Sequence, residues 1–336
     1  MKLKLIFITA LCITLPPFFS VAFSAPSKEK IIFGGGPSGE AFWSAANAIH
    51  NIKSIKDADG FKLQVQQSDG SLENLKKIND STFQMGIVYS GDLWRAVNGR
   101  LINYQPDADA NQNYSKVMAV ASLYTAPAQL IVRADSDIKS VTELEGKKVG
   151  VGNTSSGAYS TCELFFTHMG IWDKIEKKGV GYNDAARAFK NNDIDAFWIF
   201  TATPSACVKL LAENSSSGSD KKGINIVNLG EDAEKSNFFK EFPWFSITTI
   251  KAGTYKGVDT DTISFQDSAI WAASSDTPAD VVYQMMSLVY TDEALKYLAE
   301  QNGVLKDMNI ATGITAIFTP LHPGAEKFWK EKGIIK

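Results

Sequence analysis

One pattern constrains this chain more than any other. A short apolar run leads into a patch of small polar residues, which leads into a helical pattern, six times over. Lys30–Phe33 leads into GGGPSG and a helix through Ile49. Phe61–Gln66 leads into Ser68-Asp69-Gly70-Ser71 and LENLKKI. Phe83–Val88 leads into Tyr89-Ser90-Gly91-Asp92 and LWRAV. After the polar stretch around 99–116 comes VMAVASLYTAPAQLIVRADSD, long and apolar, broken by Pro127, which reads as strands crossing between two lobes. The triplet then resumes. Lys147–Val151 leads into Gly152-Asn153-Thr154-Ser155-Ser156-Gly157 and AYSTCELFFTHM. Val180-Gly181-Tyr182-Asn183 leads into DAARAFKNN. Ile194–Phe200 leads into Thr201-Ala202-Thr203-Pro204-Ser205 and ACVKLLAEN. Such alternation predicts parallel sheets with crossover helices, an α/β fold of two similar lobes. A second crossing strand is expected at Ala269–Ala273, with helices such as ADVVYQMMSLVY packing back on the first lobe. The stretch 214–223, NSSSGSDKKG, reads as a surface loop.

The first residues indicate where the chain goes. Lys2 and Lys4 precede an apolar run from Leu5 to Leu15, then Pro16-Pro17 and Ala22-Phe23-Ser24. These are the three regions of a cleavable secretory signal, expected to span 1–24 and to lie outside the fold. No later run reaches the ~18 apolar residues of a membrane span. The expected location is the periplasm, with no membrane insertion. About 310 residues remain, a size that suits two domains. Lobe 1 is expected at 25–130 and 270–336, and lobe 2 at 131–269. Without Lys2 and Lys4 the balance is 32 basic against 37 acidic residues, or −5, with no basic block. That argues against nucleic acid as a partner. Cys162 and Cys207 remain; in an oxidising compartment they could pair, or stand as two small buried side chains.

In open α/β sheets, ligands sit outside the carboxyl ends of the strands, where helix N-termini present unpaired N–H groups. Two facing lobes would thus form an anion-binding cleft. Gly36 and Gly39 let backbone approach closely. Ser38, Ser90, Ser155, Ser156, Thr201 and Thr203 supply hydroxyls, and Asn153, Thr154 and Gly157 complete the richest loop. The serines, threonines and asparagine among these residues are also ordinary helix N-caps. Tyr89 ends a strand directly before Ser90-Gly91, where a phenol reaches a carboxylate. Tyr124 lies in the crossing segment, and Trp198 is either a pocket wall or sheet core. Arg133 is either a carboxylate clamp or a structural ion-pair partner beside Asp135 and Asp137. Arg95 reads as solvated or interlobe, and Arg187 as an exposed helix face. The three histidines lack metal spacing, so no metal is expected.

Gly34–Gly39 also matches G-x-G-x-x-G letter for letter. A dinucleotide enzyme is nonetheless disfavoured. Asp69 lies 30 residues past Gly39 instead of the usual ~20, and Pro37 fits the first turn of a helix without any fingerprint. No G-x-S-x-G elbow or Ser/His/Asp set is present. Neither catalysis nor a cofactor is expected.

The segments FGGGPSGEAF, SDGSLENL, FQMGIVYSGD, ASLYTAPAQLIVRADS, VTELEGKKVGVGNTSSG, IDAFWIF, IKAGTYKGV and TPLHPGAEKFWKEKGI fall in an order that resembles TAXI-family solute receptors. These are the periplasmic substrate-binding subunits of TRAP-type transporters. The resemblance covers nearly the whole mature chain. It implies a two-lobe periplasmic-binding-protein-like fold of type II with two crossing hinge strands. It also implies capture of a small carboxylate or acidic amino acid, delivery to a TRAP membrane permease, and neither cofactor nor catalysis. An exported receptor docking on a membrane sensor is the alternative. The chain departs from the family in the first loop, where small residues run toward a threonine and this sequence has Glu40-Ala41. Either Glu40 points away and complements its helix dipole, or it meets an amine on the ligand.

Overall fold

A computed structural model describes residues 28–101, 113–214 and 223–336. The expected signal segment and most of the 214–223 loop lie outside the described residues. The strands are β1 (Glu29–Gly34), β2 (Phe61–Gln66), β3 (Met85–Tyr89), β4 (Val117–Arg133), β5 (Lys148–Gly150), β6 (Glu176–Lys178), β7 (Ala196–Phe200), β8 (Ile224–Ile226), β9 (Ser246–Ile250) and β10 (Thr262–Ser274). The helices are α1 (Ala41–Asn51), α2 (Lys53–Lys56), α3 (Ser71–Asn79), α4 (Ser90–Val97), α5 (Gly157–His168) and α6 (Tyr182–Lys190). They continue with α7 (Ala206–Asn214), α8 (Leu229–Lys235), α9 (Phe238–Glu241), α10 (Ala279–Val289), α11 (Asp292–Gln301) and α12 (Pro323–Glu331).

The strand order is β2-β1-β3-β10-β4-β7-β5-β6, with β8 added to β4 and β9 to β10. This is the two-lobed α/β architecture that the alternating pattern predicts. One parallel wing holds β2, β1 and β3; the other holds β7, β5 and β6. The central strands MGIVY (β3) and AFWIF (β7) are buried at every residue. Strands covered on both faces read as continuous apolar runs, which is why both are plain in the sequence. At the edge, β2 alternates buried and exposed along most of its length.

Two antiparallel strands join the wings, at the crossings expected from the sequence. β4 is one unbroken strand of 17 residues. It pairs with β10 from Val117 to Pro127 and with β7 from Ala128 to Val132. Pro127, which has no N–H to donate, falls where the strand changes partners, so its cost to the ladder is small. The C-terminal helices return to the first wing. Gly60 there leaves no room for a Cβ beside the Gln284 side chain of α10, and Trp329 of α12 donates to Val120 O at 2.9 Å.

One unit differs from its expected form. The strand placed at 180–183 lies instead at Glu176–Lys178, and Tyr182 already belongs to α6. β6 is an exposed, three-residue, fully charged edge, so hydrophobic periodicity carries no signal for it. Cys162 and Cys207 are both free thiols, and the pairing left open by the sequence is not made. Cys162 packs in the core as a small apolar side chain.

Candidate functional site

The wings face one another across a seam, and contacts run directly between them. At the end of β3, Tyr89 Oη donates to Phe200 O at the end of β7, at 2.7 Å. Tyr182 Oη donates to the same carbonyl at 2.7 Å and accepts from Phe200 N at 3.1 Å. Glu73 N donates to Ser155 O at 3.3 Å. Ser160 of α5 donates to Asp92 of α4 at 2.5 Å, and Arg95 pairs with the same carboxylate at 2.6 Å. Arg95 also donates to Ser160 Oγ. Arg95 is buried at this interlobe position, one of the two roles its place in the sequence allows.

Beside this seam lies a cavity of about 160 Å³. Its first-wing wall is Gly39, Glu40, Ala41 and Ser44, at the start of α1. Its second-wing wall is Tyr182 and Asn183, the start of α6, with Thr201, Ala202, Pro204 and Ser205 after β7. Ala206 and Cys207, the start of α7, and Val304 complete it. Three helix N-termini therefore open onto one space. Each presents first-turn N–H groups that its own helix cannot satisfy. Among the described residues no lysine, arginine or histidine lines the space.

Glu40 is the one charged group on the wall among the described residues. It occupies the N-cap position of α1, yet its side chain caps nothing. Among the described residues its carboxylate has no ion pair and no hydrogen bond. Burial raises its pKa to about 7. Its charge is felt by Tyr89, Tyr124, Tyr182 and Cys207, which places the half-buried side chain near those groups. The alternatives left by the sequence thus resolve toward a cavity-facing Glu40. Each neighbour is itself held neutral, since burial pushes every one of their pKa values up. The Tyr124 hydroxyl is buried with no hydrogen-bond partner.

The other expected site residues divide into three groups. Gly39, Glu40 and Thr201 line the cavity. Tyr89 and Tyr124 stand just behind it, with Phe42 between them at ring-centroid distances of 4.9 and 6.5 Å. The rest are elsewhere. Gly36 accommodates a turn with φ +72°, and an added Cβ would meet Phe42 at 2.9 Å. Ser38 is exposed, and the Ser90 hydroxyl is spent on Ala316 O. Ser156 caps α5 by accepting from Tyr159 N, and Asn153 O accepts from Ser156. Thr154 is exposed and Thr203 half-buried, and neither lines the cavity. Gly157 meets Tyr89 and Ser71 across the seam.

Trp198 is fully buried against Phe165, Phe166 and Phe265, so of its two readings the structure selects sheet core. Arg133 donates to Phe189 O at 2.7 Å and Ile194 O at 3.0 Å, a structural tie. Ser44, Asn183, Ser205 and Val304 are not among the expected site residues, and Cys207 is expected only as a possible disulfide partner or a small buried side chain. Asn183 and Ser205 resemble ordinary helix starts, and Val304 carries no chemical signal at all.

A family model described as NMT1-like matches residues 33–333. The chain belongs to the NMT1-like family. Among solved structures, this NMT1-like chain is similar to the periplasmic aliphatic sulphonate binding protein SsuA from Escherichia coli. The identity is 14%, over 83% of this chain and 80% of that one, with a TM-score of 0.45. It is also similar to a binding protein component of an ABC phosphonate transporter from Pseudomonas aeruginosa. There the identity is 11%, over 82% and 79% of the two chains, with a TM-score of 0.49. No helix among the described residues of the NMT1-like chain is long and apolar enough to cross a membrane.

Proposed function

We propose that the protein is an exported solute receptor that closes its two lobes on a small organic acid or acidic amino acid. It then delivers that solute to a TRAP-type membrane permease. The observation that carries this reading is the cavity where the starts of α1, α6 and α7 converge from opposite wings. A solute held there touches both wings at once and favours the closed form by its extra affinity for that form. Moving a population from 1:99 to 99:1 needs ~5.5 kcal/mol of differential binding. A few charge-assisted hydrogen bonds at ~1.5–3 kcal/mol each supply it. The lobes divide at 25–130 with 270–336, and at 131–269, so that β4 and β10 form the hinge. No step of this cycle is chemical, and the protein acts as a carrier.

Native mass spectrometry of the protein as purified, followed by gentle unfolding, tests the reading. A co-released acid of low mass is the expected result. A protein that carries nothing, and that neither binds nor is stabilised by any small carboxylate or amino acid, counts against it.

A further inference from the structure

The cavity wall is electrostatically lopsided. An anionic solute would be met by three helix N-termini, a favourable arrangement. It would also meet Glu40, with no lysine, arginine or histidine among the described residues of the wall to offset that charge. A carboxylate withdrawn from water without a partner is costly. Ordinary N-cap residues resolve that cost by capping, as Ser156 does for α5 and Thr291 for α11. Glu40 does not cap, and its oxygens are left to whatever enters the cavity. The nearby Tyr124 side chain is buried, and its hydroxyl is likewise without a partner. Two polar groups from different elements, Glu40 on the cavity wall at the start of α1 and Tyr124 of β4 behind it, thus leave their hydrogen-bonding capacity unspent.

We infer that Glu40 is the cation-recognising group of this site, and that the solute is a zwitterion. Its ammonium rests on the Glu40 carboxylate, and its own carboxylate faces the starts of α6 and α7. The inference rests on the solute-capture reading and narrows it, because it excludes simple mono- and dicarboxylates as the preferred cargo. Unpartnered Glu40 is poised near neutrality. The titratable groups around it are Tyr89 on β3, Tyr124 on β4, Tyr182 on α6 and Cys207 on α7, all neutral through this range. Glu40 therefore sets the pH response of binding. An ammonium partner requires the ionised acid, so affinity rises as pH goes from 6 to 8. A carboxylate partner would require the protonated acid as a donor, and affinity would fall over the same range.

The experiment is calorimetry on the full-length mature protein with two matched panels. One holds the L-α-amino acids; the other holds the same molecules without the amino group. Binding by at least one amino acid, at least roughly 10-fold tighter than by its des-amino partner, is expected. For that amino acid, Glu40→Gln should lower affinity by about 10- to 100-fold and flatten the pH profile. Des-amino acids binding as well as their partners, an unchanged Glu40→Gln variant, or affinity that rises on acidification would each overturn the assignment while leaving solute capture intact. Silence from both panels overturns solute capture, and the assignment with it.

Discussion

At the residue scale, Asp267 shows how burial turns a common side chain into a pH-responsive one. It lies on β10, fully enclosed, and accepts from Gly91 N at 2.9 Å and Ser268 N at 2.6 Å. Burial raises its pKa to about 8, with the negative charge of Asp92 adding to the effect and the two amides and Arg95 opposing it. In the unfolded chain the same group titrates near ~3.9. Between those values the folded protein holds a proton that the unfolded chain has released. Stability from this group is therefore complete below about pH 4 and is lost as pH climbs toward 8. Asp267→Asn removes the proton exchange while keeping an acceptor for Gly91. Its melting temperature relative to wild type should rise by about 5–6 °C between pH 5 and 8 in scanning calorimetry. A constant difference across that range would refute the buried neutral acid.

At the element scale, the proposed closure depends on how nearly two helices can approach. Gly157 opens α5, and a Cβ there would lie 2.3 Å from the Tyr89 ring and 2.8 Å from Ser71. Both neighbours belong to the opposite wing. Gly157→Ala suits its own helix, because alanine is the better helix former, but it wedges the seam. Overpacking costs about 1–3 kcal/mol, so solute affinity should fall roughly 10-fold. Melting of the solute-free protein should shift little, because the wedge acts on the junction. A variant that binds as wild type would mean the wings do not meet here during capture.

Much of the architecture was legible at this scale. Buried strands such as β3 and β7 are uniformly apolar, and the crossing strands are too long and apolar to be loops. β6 was not, since its Glu-Lys-Lys sequence lies on a charged edge. The site was less legible than the fold. GNTSSG is rich in small polar residues, yet its Ser156 hydroxyl caps α5 and its Ser155 carbonyl accepts from Glu73 N of the first wing. Glu40 was recognisable as a departure from a family pattern, but its direction depends on tyrosines from three other elements. No local pattern encodes such a convergence.

At the scale of the whole molecule, the seam contacts of Tyr89, Glu73 and Asp92 describe the wings drawn together. Small-angle scattering should therefore give a smaller radius of gyration with saturating solute than without it. The solute should also stabilise the fold by about 2.7 kcal/mol at a hundredfold excess over Kd. Identical scattering profiles with and without a solute that calorimetry shows to bind would argue for a rigid body with a fixed pocket.

β4 runs without interruption from one wing to the other, so displacement of the wings is resisted by backbone hydrogen bonds along a continuous ribbon. Such a ribbon flexes like a leaf spring, with no swivel point at which its ends turn freely. Bending it in one direction creates the tendency to return. Under the solute capture proposed above, grip would come from the cargo, and the ribbon's resistance to bending would supply the recoil once the cargo leaves.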